Sequence, residues 1–328
     1  MRTRSSRVAL GLVLLVVPAL GYAHGVEAQA RQQARQRSGG NAAAALNRVD
    51  STFAFDKSGS IAVTARSGDI VITGWNRDQV RLRATGDSDD ADSTGDIRLD
   101  ASSSRLTVES TGRRGGDTRF ELSVPYGVRV VATSRSGDVS VRGTRGQVEI
   151  HSQNGDVDVD DVATRLDVRT FSGDLTATNI MGDVEISTLN GGVRITDLRG
   201  NVDVGTISGD IELRGVQSKL VRAHTTSGDV TYDGVIDPAG RYELSAHSGD
   251  LRLHVPRNAS AQLTVSTWNG GIDSEFPITL TPGEHGIGLT TSKRLTFQIG
   301  GGAARITAET FSGDITISSN GRGPADRR

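Results

Sequence analysis

The feature that most constrains this sequence is a short phrase, Ser or Asn, then Gly, then Asp or Gly, then an aliphatic residue, which recurs every eighteen residues through the middle of the chain. The strictly spaced copies have their first glycine at Gly137, Gly155, Gly173, Gly191 and Gly209. Looser copies have it at Gly68, Gly228, Gly249, Gly270 and Gly313. A fixed period of this length is typical of a solenoid, in which each repeat buries its apolar face only against its neighbours.

Each unit divides into two halves of about nine residues, with inward positions two, four and seven places after each glycine, as at Val139, Val141 and Thr144. In the second halves the same spacing predicts that the last inward residues are Gln153, Phe171 and Leu189. Alternation over such short runs indicates strands with one buried face. The sequence therefore predicts an all-β fold, a parallel β-solenoid of the β-helix or β-roll type with about 18 residues per turn. The usual handedness of parallel crossovers favours a right-handed coil.

The phrase itself is typical of a corner between strands. Glycine adopts a positive φ without a steric clash, and Ser, Asn and Asp side chains bond to nearby backbone groups. A left-handed hexapeptide helix also has eighteen residues per turn, but it requires an apolar residue at every sixth position, and the gaps here are two, three and four. The pattern therefore favours a coil with two main sheets.

The N-terminus has the composition of a secretory signal peptide over residues 1–30. Basic residues up to Arg7 precede an apolar run from Val8 to Leu20, which is too short for an ordinary membrane span. Cleavage is expected after Ala30, with Ala23 as the alternative. The chain has no cysteine, so neither a lipid anchor on cysteine nor a disulfide is available. We expect an exported protein, periplasmic or extracellular at the cell surface.

The remaining boundaries follow from composition. Residues 31–51 are rich in Arg, Gln and Ala and are predicted to be a disordered linker, and residues 319–328 a flexible tail. One solenoid domain is predicted over 52–318, with irregular turns at 52–135, regular turns at 136–234 and irregular turns at 235–318. Pro125 and Pro256 each follow a strand, and because proline is excluded from central strands they are expected where the coil leaves and re-enters a sheet.

The eighteen-residue spacing stacks equivalent side chains, so recurring acids form ladders. A corner ladder is predicted at Asp138, Asp156, Asp174, Asp210 and Asp229. A face ladder is predicted at Glu149, Asp167, Glu185 and Asp203. Carboxylates about 5 Å apart repel one another unless they accept hydrogen bonds, meet basic groups or bind cations.

For the corner ladder we expect carboxylates that accept backbone N–H groups, and no cofactor. The alternative is a calcium-ordered β-roll, although the second glycine of the Gly-Gly-x-Gly-x-Asp calcium repeat is missing here. For the face ladder we expect an ordinary solvated sheet, partly compensated by Arg165 and Arg169. A weak cation site or a docking strip for a basic partner is the alternative.

Little in the sequence indicates catalysis. The histidines are scattered and no Gly-x-Ser-x-Gly elbow is present. Among the serines of the turns, only Ser248 has a neighbouring base, His247, which we expect to be an ordinary corner histidine. The predicted function is non-enzymatic. The alternative is a carbohydrate-active β-helix lyase or hydrolase with paired acids in a groove beside the insertion from Gly86 to Gly95. The aromatic side chains of Phe171, Trp268 and Phe311 are predicted to lie in the core. A net charge of −2 gives no reason to expect nucleic acid as a partner.

Three features together resemble the bacterial putative-adhesin domain family of unknown function. These are the repeated Ser-Gly-Asp turns, the Leu-x-Val-Pro steps at Leu122 to Pro125 and Leu253 to Pro256, and a Gly-Gly-x-Ala-x-Ile segment before the phrase at Ser312. The resemblance covers nearly the whole chain after residue 51. It implies an exported β-solenoid of the cell envelope, acting as an adhesin, a scaffold or an envelope-stress-associated binding protein. The expected partner is an envelope polysaccharide or protein, and the family supplies no site residues.

Overall fold

A computed structural model describes residues 48–86, 97–110, 117–277 and 293–319, and these contain 24 β-strands and no helix. All of them belong to one compact unit. The all-β prediction is therefore confirmed. The predicted signal peptide, most of the predicted linker and of the tail, and nearly all of the Gly86 to Gly95 insertion lie outside the described residues.

The strands fall into an N-terminal group, a regular middle and a C-terminal group. The N-terminal strands are β1 (Arg48–Ala54), β2 (Ser60–Ala65), β3 (Ile70–Trp75), β4 (Gln79–Gly86), β5 (Ile97–Ala101), β6 (Arg105–Ser110) and β7 (Thr118–Pro125). The middle strands are β8 (Arg129–Ser136), β9 (Val139–Thr144), β10 (Val148–Asn154), β11 (Val157–Val162), β12 (Leu166–Ser172), β13 (Leu175–Met181), β14 (Val184–Asn190), β15 (Val193–Arg199) and β16 (Val202–Ser208). The C-terminal strands are β17 (Ile211–Ser227), β18 (Val230–Ser248), β19 (Leu251–Val255), β20 (Ala261–Asn269), β21 (Ile272–Ser274), β22 (Lys293–Ile299), β23 (Ala304–Ser312) and β24 (Ile315–Ser319).

From β10 to β15 every strand pairs in parallel with the second strand before it and the second strand after it. Strand β10, for example, lies between β8 and β12, and Ile150 faces Ala132 on one side and Val168 on the other. Strand β11 lies in the same way between β9 and β13. Each coil thus contributes one strand to each of two sheets, and the register advances by the eighteen residues of the repeat. This is the predicted parallel solenoid.

At both ends the order of coils in space differs from their order in the chain. The coil made by β2 and β3 is sandwiched, because β6 and β7 pair on one side of it and β8 and β9 on the other. Likewise β23 lies between β18 and β20. The chain skips one coil after Pro125 and again after Pro256, which are the two points where the sequence predicted a departure from the sheet.

At the two ends, where irregular turns were predicted, β1, β4, β5 and β22 run antiparallel to their neighbours. These strands cover the outermost parallel strands, whose unpaired backbone groups would otherwise be open to pairing with other chains. Strand β1 begins at Arg48, before the domain boundary predicted at Thr52.

Inside the coil, the first strand of each turn buries side chains at a spacing of two and then three. Val157, Val159 and Val162 are fully buried, and Asp161 just before Val162 has a φ of 55°. A residue in this left-handed conformation places two successive side chains outside and turns the next one inward. Asn179, Asp197 and two glycines occupy the same position in other coils.

The second strand of each turn has no such residue and alternates strictly, so its last inward side chain comes one residue earlier than predicted. The buried residues there are Ser152, Thr170 and Thr188. The predicted inward positions of Gln153, Phe171 and Leu189 are therefore wrong, and these side chains point outward. Several of the buried hydroxyls support the corner below them: Thr225 Oγ1 donates to the Gly209 carbonyl at 3.1 Å and Thr310 Oγ1 to the Gly249 carbonyl at 2.9 Å.

Candidate functional site: an outward column of apolar side chains

The five corner aspartates form the predicted column, and each carboxylate interacts with the neighbouring coil. Oδ1 of Asp138 accepts the backbone N–H of Asp156 at 2.8 Å, and Oδ1 of Asp156 accepts that of Asp174 at 2.9 Å. Oδ1 of Asp210 accepts the N–H of Asp229 at 2.8 Å. The acceptor thus joins one coil to the next, whereas the sequence predicted a bond within the same turn. One carboxylate oxygen at each of these corners is committed to the backbone.

The column is interrupted at Gly192, where a shallow groove of about 560 Å³ lies between Asp174 and Asp210. Its walls also carry Arg194 and Arg252, so the groove has mixed charge. Within the described ranges, no three His, Cys, Asp or Glu side chains are grouped as a metal ion would require. The corner aspartates, which were the candidate calcium ligands, therefore lie in one column, but no three of them are close enough to hold one metal ion.

The face ladder also forms as a column, since Glu149 faces Asp167, Asp167 faces Glu185, and Glu185 faces Asp203. Every member has an arginine beside it. Arg129 approaches Glu149 to 2.8 Å, Arg169 approaches Asp167 to 3.3 Å, Arg165 contacts Glu185, and Arg222 approaches Asp203 to 3.7 Å. The Arg129 guanidinium, and after it the His151 ring, hold the pKa of Glu149 below its usual range. This face presents paired charges rather than an acidic strip.

A second column, which we call the outer column, consists of the outward residue that precedes each corner. In spatial order along the coil it comprises Arg135, Gln153, Phe171, Leu189, Ile207, Thr226, His247, Phe311 and Trp268, and the exposed Arg66 continues it beyond Arg135, as the pairing of their flanking residues fixes. Four of its members are large apolar side chains with about half of their surface exposed: Phe171 57%, Ile207 49%, Phe311 46% and Trp268 42%. Exposed apolar side chains concentrated in one row indicate a contact surface.

The aromatic end of the outer column is a stack of three rings. The His247 and Phe311 rings lie 4.9 Å apart with 9° between their planes, and the Phe311 and Trp268 rings lie 6.0 Å apart with 14° between theirs. Rings at this separation face one another, so the stack turns ring edges rather than ring faces to solvent. The sequence prediction that Phe171, Trp268 and Phe311 are core residues is wrong, because the alternation places Thr170, Thr267 and Thr310 inside instead.

Beside the outer column runs the flanking column, two residues earlier in each strand. It comprises Thr133, His151, Arg169, Ser187, Gly205, His224, Ser245, Glu309 and Ser266. His151 and Arg169 are near one end, His224 is in the middle, and Glu309 is near the other end. A shallow groove of about 450 Å³ follows the boundary between the two columns, from His224 to Trp268.

Sequence reasoning missed this surface, although a signal for it exists. Between Ser152 and Thr310, Thr or Ser stands immediately before every outer-column residue except His247, which follows Ala246. Taken with the two apolar residues that precede it in each strand, as at Leu166, Val168 and Thr170, this gives a strict period of two. That period places the following residue outside.

Among the residues that the structure describes, His247 and Ser248, the neighbouring base and turn hydroxyl of the sequence, form no hydrogen bond with each other that would make a catalytic pair. The His247 ring stacks on Phe311, and it is His254 whose Nδ1 lies 2.7 Å from the Ser318 Oγ. Asp233 faces His254 from the adjacent strand. These residues lie outward on an open sheet, where bulk water reaches a reacting group freely, so the arrangement lacks the enclosure that a catalytic site uses.

The chain is similar to one protein family in sequence and to several solved structures in fold. A sequence profile described as Toastrack DUF4097 matches residues 60–318. Two similar solved structures are a putative adhesin from Parabacteroides distasonis and one from Parabacteroides merdae. The first shares 12% identity, covers 83% of this chain and 96% of its own, and has a TM-score of 0.43. The second shares 12% identity, covers 84% and 96%, and has a TM-score of 0.41.

A search of curated proteins finds no match to this chain. In the part of the chain that the structure describes, no helix has the length and apolar character needed to cross a membrane.

Proposed function

The chain belongs to the Toastrack DUF4097 family, and from this membership and the outer column we propose that it is a non-enzymatic adhesin or scaffold protein of the cell envelope. Its partner is an envelope component, a polysaccharide or a protein, displayed outside the cytoplasm. The outer column is its contact surface.

The single observation that carries this proposal is that four half-exposed apolar side chains, those of Phe171, Ile207, Phe311 and Trp268, lie in one row along the coil. Each of them sits on a backbone paired on both sides, with core residues directly behind it, so its position is fixed before any partner arrives. Pre-organised aromatic and aliphatic anchors lose little entropy on binding and are common at the centre of interfaces.

The electrostatic pattern supports the choice of this surface. On the face ladder, each carboxylate has an arginine within ion-pair distance, so its charge is already compensated within the chain. The outer column, by contrast, leaves apolar surface in water. Covering it releases that water, which favours association.

Export is proposed from the N-terminal sequence, in which basic residues up to Arg7 precede the apolar run from Val8 to Leu20. Cell fractionation followed by N-terminal sequencing of the mature protein tests it. Recovery from the periplasm or the medium with a new N-terminus after Ala30 or Ala23 supports export. An intact Met1 on protein recovered from the cytoplasm contradicts it.

The proposal that the protein binds rather than cleaves is tested with the purified mature protein and isolated envelope material. Peptidoglycan and envelope polysaccharide are incubated with the protein, and both retained protein and newly formed reducing ends are measured. We expect retention without cleavage. Release of glycan fragments that is abolished by replacing one carboxylate with its amide would contradict the non-enzymatic function and favour a carbohydrate-active β-helix enzyme.

A further inference from the structure

We propose that the occupant of the outer column is the outer column of a second copy of this chain, in an antiparallel arrangement with a two-fold axis through Ile207. This deepens the proposed function, on which it rests, by naming the partner of the same surface. Adhesion or scaffolding then arises from contact between identical molecules.

The aromatic stack decides what kind of partner fits. A sugar ring packs on a free aromatic face, but the faces of Phe311 are turned to His247 on one side and to Trp268 on the other. At Phe311 the ring edge is what remains exposed, and it lies in one ridge with the aliphatic side chains of Leu189 and Ile207. Such a ridge suits another row of side chains that interdigitate with it, including rings that meet these edges in a T-shaped geometry.

The sequence of the outer column is complementary to its own reverse. Ile207 lies midway between Arg135 and Trp268, and a two-fold axis there places Ile207 against the same residue of the second copy and leaves Arg66 beyond the paired positions. Phe171 then meets His247 of the second copy, and Gln153 meets Phe311. At the two ends of the paired positions, Arg135 meets Trp268, a pairing of a guanidinium with an aromatic ring that is attractive.

The flanking column is complementary in the same arrangement. The axis brings Glu309 of the second copy opposite His151 and one strand away from Arg169. In a parallel arrangement, each outer-column residue would instead meet its own equivalent, and Arg135 would face Arg135. Like charges placed directly opposite each other destabilise an interface. Charge therefore selects the antiparallel arrangement.

The size of this contact fits reversible association. Nine strands at a spacing of about 4.8 Å span about 38 Å, and the two columns together are about 14 Å wide. The contact then buries about 500 Å² on each copy, or about 1,000 Å² in total, at the lower limit for a specific interface. A weak pair contact becomes strong when many copies are displayed on one surface.

The absence of cysteine from the chain gives a direct test. In the purified mature protein, Ile207→Cys supplies a single thiol at the axis, and Met181→Cys supplies one at an exposed position outside the outer column, where Met181 is 46% exposed. Both variants are oxidised gently at equal concentration, after circular dichroism has shown that each is folded. We expect a disulfide-linked dimer from Ile207→Cys at a yield at least tenfold above that from Met181→Cys.

The direction of packing is tested with Phe171→Cys and His247→Cys. Neither variant alone should form a linked dimer, because each thiol lies about 19 Å from its equivalent across the axis. A mixture of Phe171→Cys and His247→Cys should form a disulfide-linked dimer. Linking of Phe171→Cys to itself would contradict the antiparallel arrangement, and equal yields from Ile207→Cys and Met181→Cys would overturn pairing through this column.

The two proposals fail in different ways. If Ile207→Cys does not cross-link and the wild-type protein sediments as a monomer, while envelope binding is still lost on changing the outer column, the second copy is the wrong partner and the binding function stands. If changing the outer column leaves envelope binding intact, the proposed contact surface itself is wrong.

Discussion

The carboxylate Oδ1 of Asp156 accepts a hydrogen bond from the backbone N–H of Asp174, 2.9 Å away and one whole coil later in the chain. The same bond recurs along the corner column, as between Asp229 and the N–H of Asp250 at 2.8 Å. Each aspartate thereby satisfies a backbone donor that the sheet ladder leaves free at the corner. The repeated phrase fastens successive coils to one another.

Loss of one such acceptor should destabilise the coil measurably. Asp156→Ala removes the acceptor for the Asp174 N–H and should lower the free energy of unfolding by about 1 to 2 kcal/mol. Asp156→Asn keeps an acceptor oxygen and should lose less. Urea unfolding followed by circular dichroism measures the difference. As a control, Asp158→Ala breaks only an exposed ion pair with Arg142 and should cost at most about 0.5 kcal/mol. Equal losses for Asp156→Ala and Asp158→Ala would contradict the role of the column.

Replacement by alanine should lower stability strongly at one corner glycine, Gly173, and little at another, Gly192. Gly173 has a φ of 130°, and a Cβ there would lie 2.2 Å from the Gly155 carbonyl oxygen, so Gly173→Ala should cost about 4 kcal/mol or more. The nearest atoms to a Cβ on Gly192 are 3.6 Å away, an ordinary contact, so Gly192→Ala should change stability by less than about 1 kcal/mol. The shift in the urea midpoint is measured for both variants. Similar shifts would show that a Cβ at Gly173 does not clash with the Gly155 carbonyl.

Folding should not depend on calcium. Oδ1 of Asp138, Asp156 and Asp210 already accepts a backbone N–H, so the corner is stabilised without a cation. The melting temperature and circular dichroism spectrum should be the same in a chelator and in millimolar calcium. A calcium-dependent rise of more than a few degrees would instead favour a calcium-ordered β-roll.

The Asp229 carboxyl makes stability depend on acid pH. Its partial burial raises its pKa, but the Arg252 guanidinium at 2.6 Å and the Asp250 N–H outweigh burial and hold the pKa below its ordinary value of 3.8. A lowered folded-state pKa means that this stabilisation is present above the pKa of the unfolded chain and is lost as the pH falls through the folded-state pKa.

Asp229→Asn should therefore be less stable than the wild type by about 0.5 to 1 kcal/mol at pH 7, a figure reduced for solvent screening. The difference should shrink as the pH falls below about 4, because the wild-type carboxyl then becomes neutral as well. Urea titrations of both proteins between pH 7 and pH 2.5 measure it. A difference that stays constant over this range would mean that the charge contributes nothing.

The eighteen-residue period was enough to predict the coil, its two sheets and the stacking of Asp138 on Asp156, because all three follow from strand spacing alone. It was not enough to predict the side on which Phe171 lies. That depends on Asp161 adopting a positive φ in the first strand while nothing equivalent occurs in the second, and the two halves look alike in sequence. The order of the coils at the two ends could not be predicted either, because a local repeat does not indicate which coil β6 or β20 pairs with.

The most direct test of the outer column is a comparison of envelope binding by Phe311→Ser and Met181→Ser, two replacements of apolar side chains that are each 46% exposed. Equilibrium binding of each purified protein to isolated envelope is measured by cosedimentation beside the wild type. If the column is the contact surface, Phe311→Ser weakens binding by about tenfold or more, as expected for an aromatic anchor, and Met181→Ser changes it by less than about twofold. Equal effects of the two replacements, or none from Phe311→Ser, would contradict it.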